Sequence, residues 1–337
     1  MDEMTVSRGP ESSRGVSAAA EDYTTCCPVC GSKMHEPLYP STLRDPTVRS
    51  GDFRATSSAY GEHADIVRCL ECASAFILDS LTDQSIHEAY EEVEDPEYVS
   101  GHEARVVTFN RQLDRLERLT ARGRLLEVGA YTGVFLALAR ERGWEAEGIE
   151  PSRWACQRAE ESYAVSLRNG VFGSGSYGPG LFDTVVMWDV IEHLPDPGVA
   201  TREAFRILKP GGLLALSTMD IGSAAARVGG RQWPWLMSMH RVYFSRPSMR
   251  GLLEDSGFAD IRFKTHIRSI RLQYLGDRMA TRIPFVGAAL RAIGSLPGLT
   301  RVVVPFTIGD LFEVYARKPG GAPDRRADGV TDPTDQD

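Results

Sequence analysis

The chain has 337 residues, 42% hydrophobic and 25% charged, with a formal net charge of −8. That balance suits one large or two modest soluble domains with a substantial core, and it argues against a nucleic-acid-binding face as the main feature. No run of about 18 or more apolar residues occurs, so no membrane-spanning helix is expected. In chain order, residues 1–22 come first; they are polar and lack a signal-peptide core. They and residues 319–337 read as disordered tails, with a cytoplasmic location as the default.

Five of the six cysteines fall between Cys26 and Cys72. Cys27-Pro28-Val29-Cys30 and Cys69-Leu70-Glu71-Cys72 are two C-x-x-C knuckles. Two such turns can bring four thiolates to one tetrahedral zinc ion, which predicts a zinc-ribbon-like module over residues 23–79. The 38 residues between the pairs exceed the usual ribbon gap of about 15–20, so an extended loop or hairpin is expected there. Four protein ligands close the coordination sphere, which makes the zinc structural. Disulfides are the rival, disfavoured by the lack of a secretory signal. Cys26 reads as a spare and Cys156 as core; His35 and His63 are alternative ligands that the paired cysteines make unnecessary.

Residues 80–122 follow as a helical linker or cap. Val106, Phe109, Leu113, Leu116 and Leu119 recur at helical steps and predict an amphipathic helix packed on the next domain. Tyr90 and Tyr98 read as core or surface tyrosines more than as ligand contacts.

From Arg124 to Ser152 the pattern is a βαβ unit inside a domain over residues 123–318. Leu125-Leu126-Glu127-Val128 predicts a buried strand, Gly129 and Gly133 bracket a tight turn, and Thr132 is the expected helix cap. A second strand leads to Glu150-Pro151. Glu150 lies 21 residues after Gly129, close to the spacing of about 20 at which an acid reaches ribose hydroxyls. The unit therefore predicts an adenosine-containing ligand. A helix over Arg153–Glu161 and a short strand over Ala164–Leu167 come next. A β-branched run ending at Trp188 predicts the fourth strand. Leu208-Lys209-Pro210-Gly211-Gly212-Leu213 marks a helix stop and a turn.

The run Glu127-Val128-Gly129-Ala130-Tyr131-Thr132-Gly133 resembles the first motif of class I S-adenosylmethionine-dependent methyltransferases, departing from it at Tyr131, where a middle glycine is usual. Phe182–Leu194, containing W-D-V-I-E-H-L, resembles the fourth-strand motif of the subgroup similar to ubiquinone-biosynthesis O-methyltransferases, and L-K-P-G-G resembles the turn before the fifth strand. The resemblance spans about residues 105–318. It implies an α/β fold, a Rossmann-like seven-stranded methyltransferase sheet, here preceded by the small zinc-ribbon-like module. It implies S-adenosyl-L-methionine held by Glu127, Gly129, Tyr131, Gly133, Glu150, Pro151, Val171, Phe172, Trp188 and Asp189.

On the acceptor side, His193 and His240 are the candidate general bases, since a free imidazole titrates near neutrality. Anchoring roles are the alternative for both. Trp233, Trp235 and Tyr243 are expected as substrate walls. Residues 267–307 form an apolar and basic insert, read as a cap helix pair, a dimer contact or a surface resting on lipid. The favoured acceptor is a sugar, nucleotide-sugar, glycan or natural product. An RNA methyltransferase whose zinc module grips nucleic acid is a rival, weakened because residues 23–79 carry five basic against seven acidic side chains. The other rival is a non-catalytic, partner-binding protein. Oligomeric state is left open.

Overall fold

Three short strands, β1 (His35–Tyr39), β2 (Asp65–Cys69) and β3 (Ala75–Leu78), open the computed structural model. It describes residues 26–43, 50–57, 59–78, 88–173, 175–271, 284–296 and 302–320. Of the tails expected at 1–22 and 319–337, residues 1–22 and 321–337 lie outside the described residues. Helices α1 (Pro96–Ser100) and α2 (His102–Leu119) follow, then β4 (Arg124–Val128), α3 (Val134–Glu141), β5 (Glu145–Glu150), α4 (Arg153–Tyr163), β6 (Arg168–Asn169) and β7 (Phe182–Trp188). The rest runs α5 (Pro197–Ile207), β8 (Leu208–Met219), α6 (Ala224–Gly229), β9 (Val242–Tyr243), α7 (Arg246–Asp255), β10 (Ala259–Thr265), β11 (Arg268–Arg271), α8 (Pro284–Gly294), β12 (Val303–Phe306) and β13 (Leu311–Arg317).

Seven strands form one sheet in the order β10-β13-β8-β7-β4-β5-β6. The strands from β8 to β6 run parallel, while β13 is antiparallel to both β8 and β10. The fold is thus the Rossmann-like α/β arrangement that the motifs imply. Chain order reverses direction across β4, whose neighbours are β5 and β7. In open α/β sheets that reversal leaves a crevice at the carboxyl ends of the strands. The strands suit this role because they are covered on both faces: every residue of β7 except Asp183 is buried.

Local chemistry differs from expectation at two places. Gly133, with φ of 74°, is the N-cap of α3, and no side chain caps the helix, so Thr132 does not fill that role. The strand expected over Ala164–Leu167 is displaced to Arg168–Asn169, because Ala164 takes a left-handed φ of 51° to close α4. By contrast Ser152 caps α4 as its position suggests, accepting from the Ala155 N–H.

The N-terminal strands do not stand apart. They form a second sheet in the order β1-β2-β3-β9, whose last strand comes from far along the chain, after β8. Cys27, Cys69 and Phe76 share one core cluster with Leu214, Val242 and Phe244. Burying a side chain such as Phe76 contributes roughly 1.5–3 kcal/mol, so several of them hold the two sheets together firmly. The insert opens with β11, which pairs antiparallel with β12. Among its described residues it holds helix α8, and residues 272–283 and 297–301 lie outside the described set. No described helix is long and apolar enough to cross a membrane.

Candidate functional site

A cavity of about 1100 Å³ opens at the carboxyl ends of β4, β5 and β7. Ligand clefts usually hold about 300–1,000 Å³, so this one has room for a nucleoside-sized molecule and a second reactant. Its two halves have different chemistry.

One half is built on Glu127 and Glu150. Glu127, near the end of β4, is buried, and its Oε2 has no hydrogen-bond partner. Burial, and then repulsion from Glu150, pushes its carboxyl well above the usual range. A carboxylate held this way gains most from a cationic ligand group. Glu150 ends β5. Its Oε2 accepts the Tyr131 N–H at 2.9 Å and its Oε1 the Ser152 N–H at 2.9 Å. Burial raises it to about 7 against the pull of these two bonds. Each carboxylate oxygen keeps further lone-pair capacity, which two adjacent hydroxyls can take.

The loop between them explains the departure at Tyr131. This residue adopts φ of 46°, the left-handed region that glycine normally supplies. Its N–H is fixed on Glu150, and its ring packs edge-on to Tyr98 at 4.4 Å and tilted to Trp154 at 6.2 Å. The backbone keeps a glycine-like turn while the side chain adds a wall. Gly129, at φ of 68°, also needs its missing Cβ, which would sit 2.6 Å from Val190 Cγ2. Pro151, Val171, Phe172 and Trp188 complete this half of the lining. Gly133 does not line the cavity; it lies beneath α3, where a Cβ would meet Ala159 at 2.9 Å. Its function is close packing of the start of α3 against α4.

The other half centres on Asp189, Glu192, His193 and His240. Asp189 follows β7 with φ of 55°, a strained conformation for a non-glycine residue. It is held by the Ser217 hydroxyl at 2.9 Å and by Arg268 at 2.6 Å. Burial alone would raise its pKa, but Arg268 holds it below the usual carboxylate range. The Arg268 guanidinium in turn lies 4.7 Å over the Trp235 ring.

His193 and His240 come together with ring centroids 4.9 Å apart. His193 Nδ1 donates to the Met239 carbonyl at 2.9 Å, and His240 Nδ1 donates to the Trp235 carbonyl at 2.7 Å. A carbonyl only accepts, so each proton is on Nδ1 and each lone pair on Nε2. Burial depresses both imidazoles, His240 to about 3. Beside them Glu192 is buried with an unpartnered Oε2, and burial, then Asp189, raises it to about 8.

The four knuckle cysteines also converge. Cys27 and Cys72 sulfurs are 3.6 Å apart, those of Cys30 and Cys69 are 3.5 Å apart, and one sulfur from each of the four lies within 4.8 Å of the others. All are free thiols. A tetrahedral zinc thiolate site spaces its sulfurs by about 3.8 Å, so the donor set fits that ion. His35 and His63 stand outside the cluster.

Other expected residues land elsewhere. Trp233 and Tyr243 are buried in the core and do not line the cavity; Trp233 Nε1 instead donates to Asp310 at 3.0 Å. Of the three expected walls only Trp235 reaches the cavity. Tyr90 and Tyr98 do line it, against the reading of them as plain structural tyrosines. Sequence reasoning missed Phe53 and Tyr60 from the N-terminal region and Arg105 and Gln112 from α2. Gln112 had a signal: a polar residue beside Leu113 on the helix's buried stripe. Its Oε1 is buried without a partner.

The chain is similar in part to known methyltransferases. Residues 102–262 match a family model described as a methyltransferase domain. A ubiquinone biosynthesis O-methyltransferase of Pseudomonas paraeruginosa is 32% identical over 102 residues, 28% of this chain and 44% of that protein. One from Xanthomonas campestris pv. campestris is 32% identical over 122 residues, 33% of this chain and 51% of that protein. The chain thus spans about half the length of these curated relatives or less. Among solved structures, a Thermotoga maritima S-adenosylmethionine-dependent methyltransferase, a possible histamine N-methyltransferase, matches with a TM-score of 0.43 and 21% identity over 64% of this chain and 91% of that one.

Proposed function

We propose, for a chain whose residues 102–262 match a methyltransferase-domain family model, that it transfers a methyl group from S-adenosylmethionine to a small-molecule acceptor. The observation that carries this reading is the pair of buried acids at adjacent strand ends. Glu127 offers an orphaned carboxylate oxygen and Glu150 a carboxylate pinned by two backbone N–H groups. That combination suits the ammonium and the two ribose hydroxyls of one ligand. When bound, S-adenosylmethionine supplies an electrophilic methyl on a sulfonium. The protein's share is mainly positioning of the two reactants.

Tyr131 and Trp188 wall the cofactor half, and the Glu192–His193–His240 group faces the acceptor, where a departing proton has to be received. The acceptor half, with its aromatic, cationic and carboxylate groups, supports a sugar, nucleotide-sugar, glycan or natural product. The insert shapes access to it, since Arg268 and Arg271 of β11 line the cavity. Cys27, Cys30, Cys69 and Cys72 would hold a structural zinc that ties the two knuckles together.

The test is calorimetric titration of the full chain with S-adenosylhomocysteine, followed by an acceptor screen that detects S-adenosylhomocysteine release. Stoichiometric binding is expected. Absence of binding by a chain that is folded by circular dichroism overturns the reading.

A further inference from the structure

A surface helix of a globular protein turns its apolar stripe to the core and its polar side to water. Helix α8 (Pro284–Gly294), inside the insert, does the reverse. Phe285, Ala288, Ala289, Ala292 and Ile293 are all exposed, and so is Leu296 just past its end. At about 100° per residue these six positions form one stripe roughly 140° wide. Its large side chains are well clear of the body: Phe285 is 77% exposed, Leu296 52% and Ile293 45%. Gly287 and Gly294, the buried members among the described residues of the helix, lie on the opposite side. Elsewhere on the insert and just after it, Phe306 and Ile308 are exposed as well. Apolar surface gathered in this way marks a docking site.

Charge decides the occupant. Residues 267–307 carry six arginines and a single acid, Asp277, in a chain whose net charge is −8. Two copies meeting through this face would bring two arginine-rich surfaces together, which like-charge repulsion opposes. A nucleic acid would satisfy the arginines and leave the apolar stripe in water. An anionic bilayer satisfies both, since apolar side chains enter the acyl boundary while guanidiniums meet headgroup phosphates. Arg291, exposed on the flank of the stripe, stands where such a contact needs it.

We infer that α8 and the insert around it form a peripheral docking surface for an anionic lipid membrane. The helix lies in the plane of the interface with Phe285, Ile293 and Leu296 immersed; no described helix is long and apolar enough to cross the bilayer. Docking of this kind is reversible and weakens as salt screens the headgroups. It holds whatever reaction the cavity performs, yet the two share an element. Arg268 and Arg271, at the start of the same insert, line the acceptor half.

The full chain is sedimented with unilamellar vesicles of phosphatidylcholine alone, or of phosphatidylcholine and phosphatidylglycerol in equal parts. Binding to the anionic vesicles and little to the neutral ones is expected. Phe285→Ser, Ile293→Ser and Leu296→Ser made together should weaken binding at least about tenfold. Arg291→Glu should weaken it about fivefold. These changes are on the surface, so circular dichroism and S-adenosylhomocysteine binding without vesicles should match the wild type. Failure to bind anionic vesicles, undiminished binding by the triple variant, or equal binding to both vesicle types overturns the proposal. A concentration-dependent dimer in sedimentation velocity that the triple variant abolishes also overturns it, because a second copy then covers the stripe. S-adenosylhomocysteine binding reports separately on the methyltransferase reading: if it alone is absent, that reading fails and the docking surface stands.

Discussion

The cofactor half of the cavity grows from consecutive parallel strands, with Glu127 near the carboxyl end of β4 and Glu150 at that of β5. The acceptor half is gathered from distant segments: Phe53 and Tyr60, Tyr90, Glu192 and His193, Trp235 to His240, and Arg268. The first half is positioned by sheet hydrogen bonds that the core enforces. The second depends on how separate pieces dock, including the β3–β9 pairing that ties the cysteine region to the segment bearing His240. Ile77 N–H donates to the Arg241 carbonyl at 3.0 Å, and Arg241 N–H donates to the Glu192 carbonyl at 2.8 Å. Damage to one half should therefore leave the other measurable.

The largest separation is expected from Glu150→Ala. A hydrogen bond to a charged group contributes about 1.5–3 kcal/mol, and the two ribose contacts proposed for Glu150 go with its carboxylate. S-adenosylhomocysteine affinity should fall by a factor on the order of several hundred in calorimetry. Acceptor turnover at saturating S-adenosylmethionine should stay within about threefold. An equal loss at both sites would show that the halves are one cooperative unit.

Cys72→Ser tests the reverse direction. Losing a structural zinc ligand should release the ion and lower the unfolding midpoint, on the order of 5–10 °C for a loss of about 2–4 kcal/mol. With the knuckle loosened, β3 holds β9 less firmly and His240 with it. Acceptor turnover should drop about tenfold, with S-adenosylhomocysteine affinity nearly intact. Unchanged turnover in a zinc-free protein would mean that the β3–β9 contact is incidental.

A smaller effect should appear in the pH dependence of cofactor affinity. Glu150 sits at about 7 in the ligand-free protein, and Glu127 is raised as well. Binding favours the ionised carboxylates, so affinity should climb as pH rises through 7, and the raised Glu127 extends the climb as it ionises. Below 7 each unit removes about 1.4 kcal/mol, roughly tenfold, through Glu150. Titrations between pH 5.5 and 8 check this, and Glu150→Gln should flatten the profile. A wild-type profile already flat across that range would place the ionised form of Glu150 well below neutrality.

How much could be read without coordinates follows the same divide. The cofactor half is legible because a βαβ unit fixes its glycines and acids at short, regular spacing, and the parallel sheet follows from it. Cys27, Cys30, Cys69 and Cys72 are legible because the knuckles announce themselves in pairs. The acceptor half is legible only in part. His193 and His240 stand out as residues, but their meeting depends on two backbone carbonyls and a turn that no motif encodes. Trp233 misleads because an aromatic-rich run does not say which rings turn inward; Asp310, far along the chain, decides it by accepting the indole N–H. Phe53 and Tyr60 arrive through tertiary pairing, which leaves no periodic trace.

The smallest expected effect concerns Tyr131, where the motif and the structure differ in residue but agree in backbone. Left-handed φ costs a non-glycine residue about 1–2 kcal/mol, so Tyr131→Gly removes strain. It also removes the ring contacts with Tyr98 and Trp154, worth about 0.5–1.5 kcal/mol each beyond their buried area, and it loosens the unfolded chain. These changes nearly cancel. Stability should stay within about 1 kcal/mol and S-adenosylhomocysteine affinity should fall only a few-fold, because the N–H to Glu150 survives. Tyr131→Val has no such compensation: it keeps the strain, worsened by β-branching, and loses the ring. Denaturant unfolding of the two variants thus separates backbone from side chain. If glycine proves as damaging as valine, the tyrosine ring, rather than the turn, holds this loop in place.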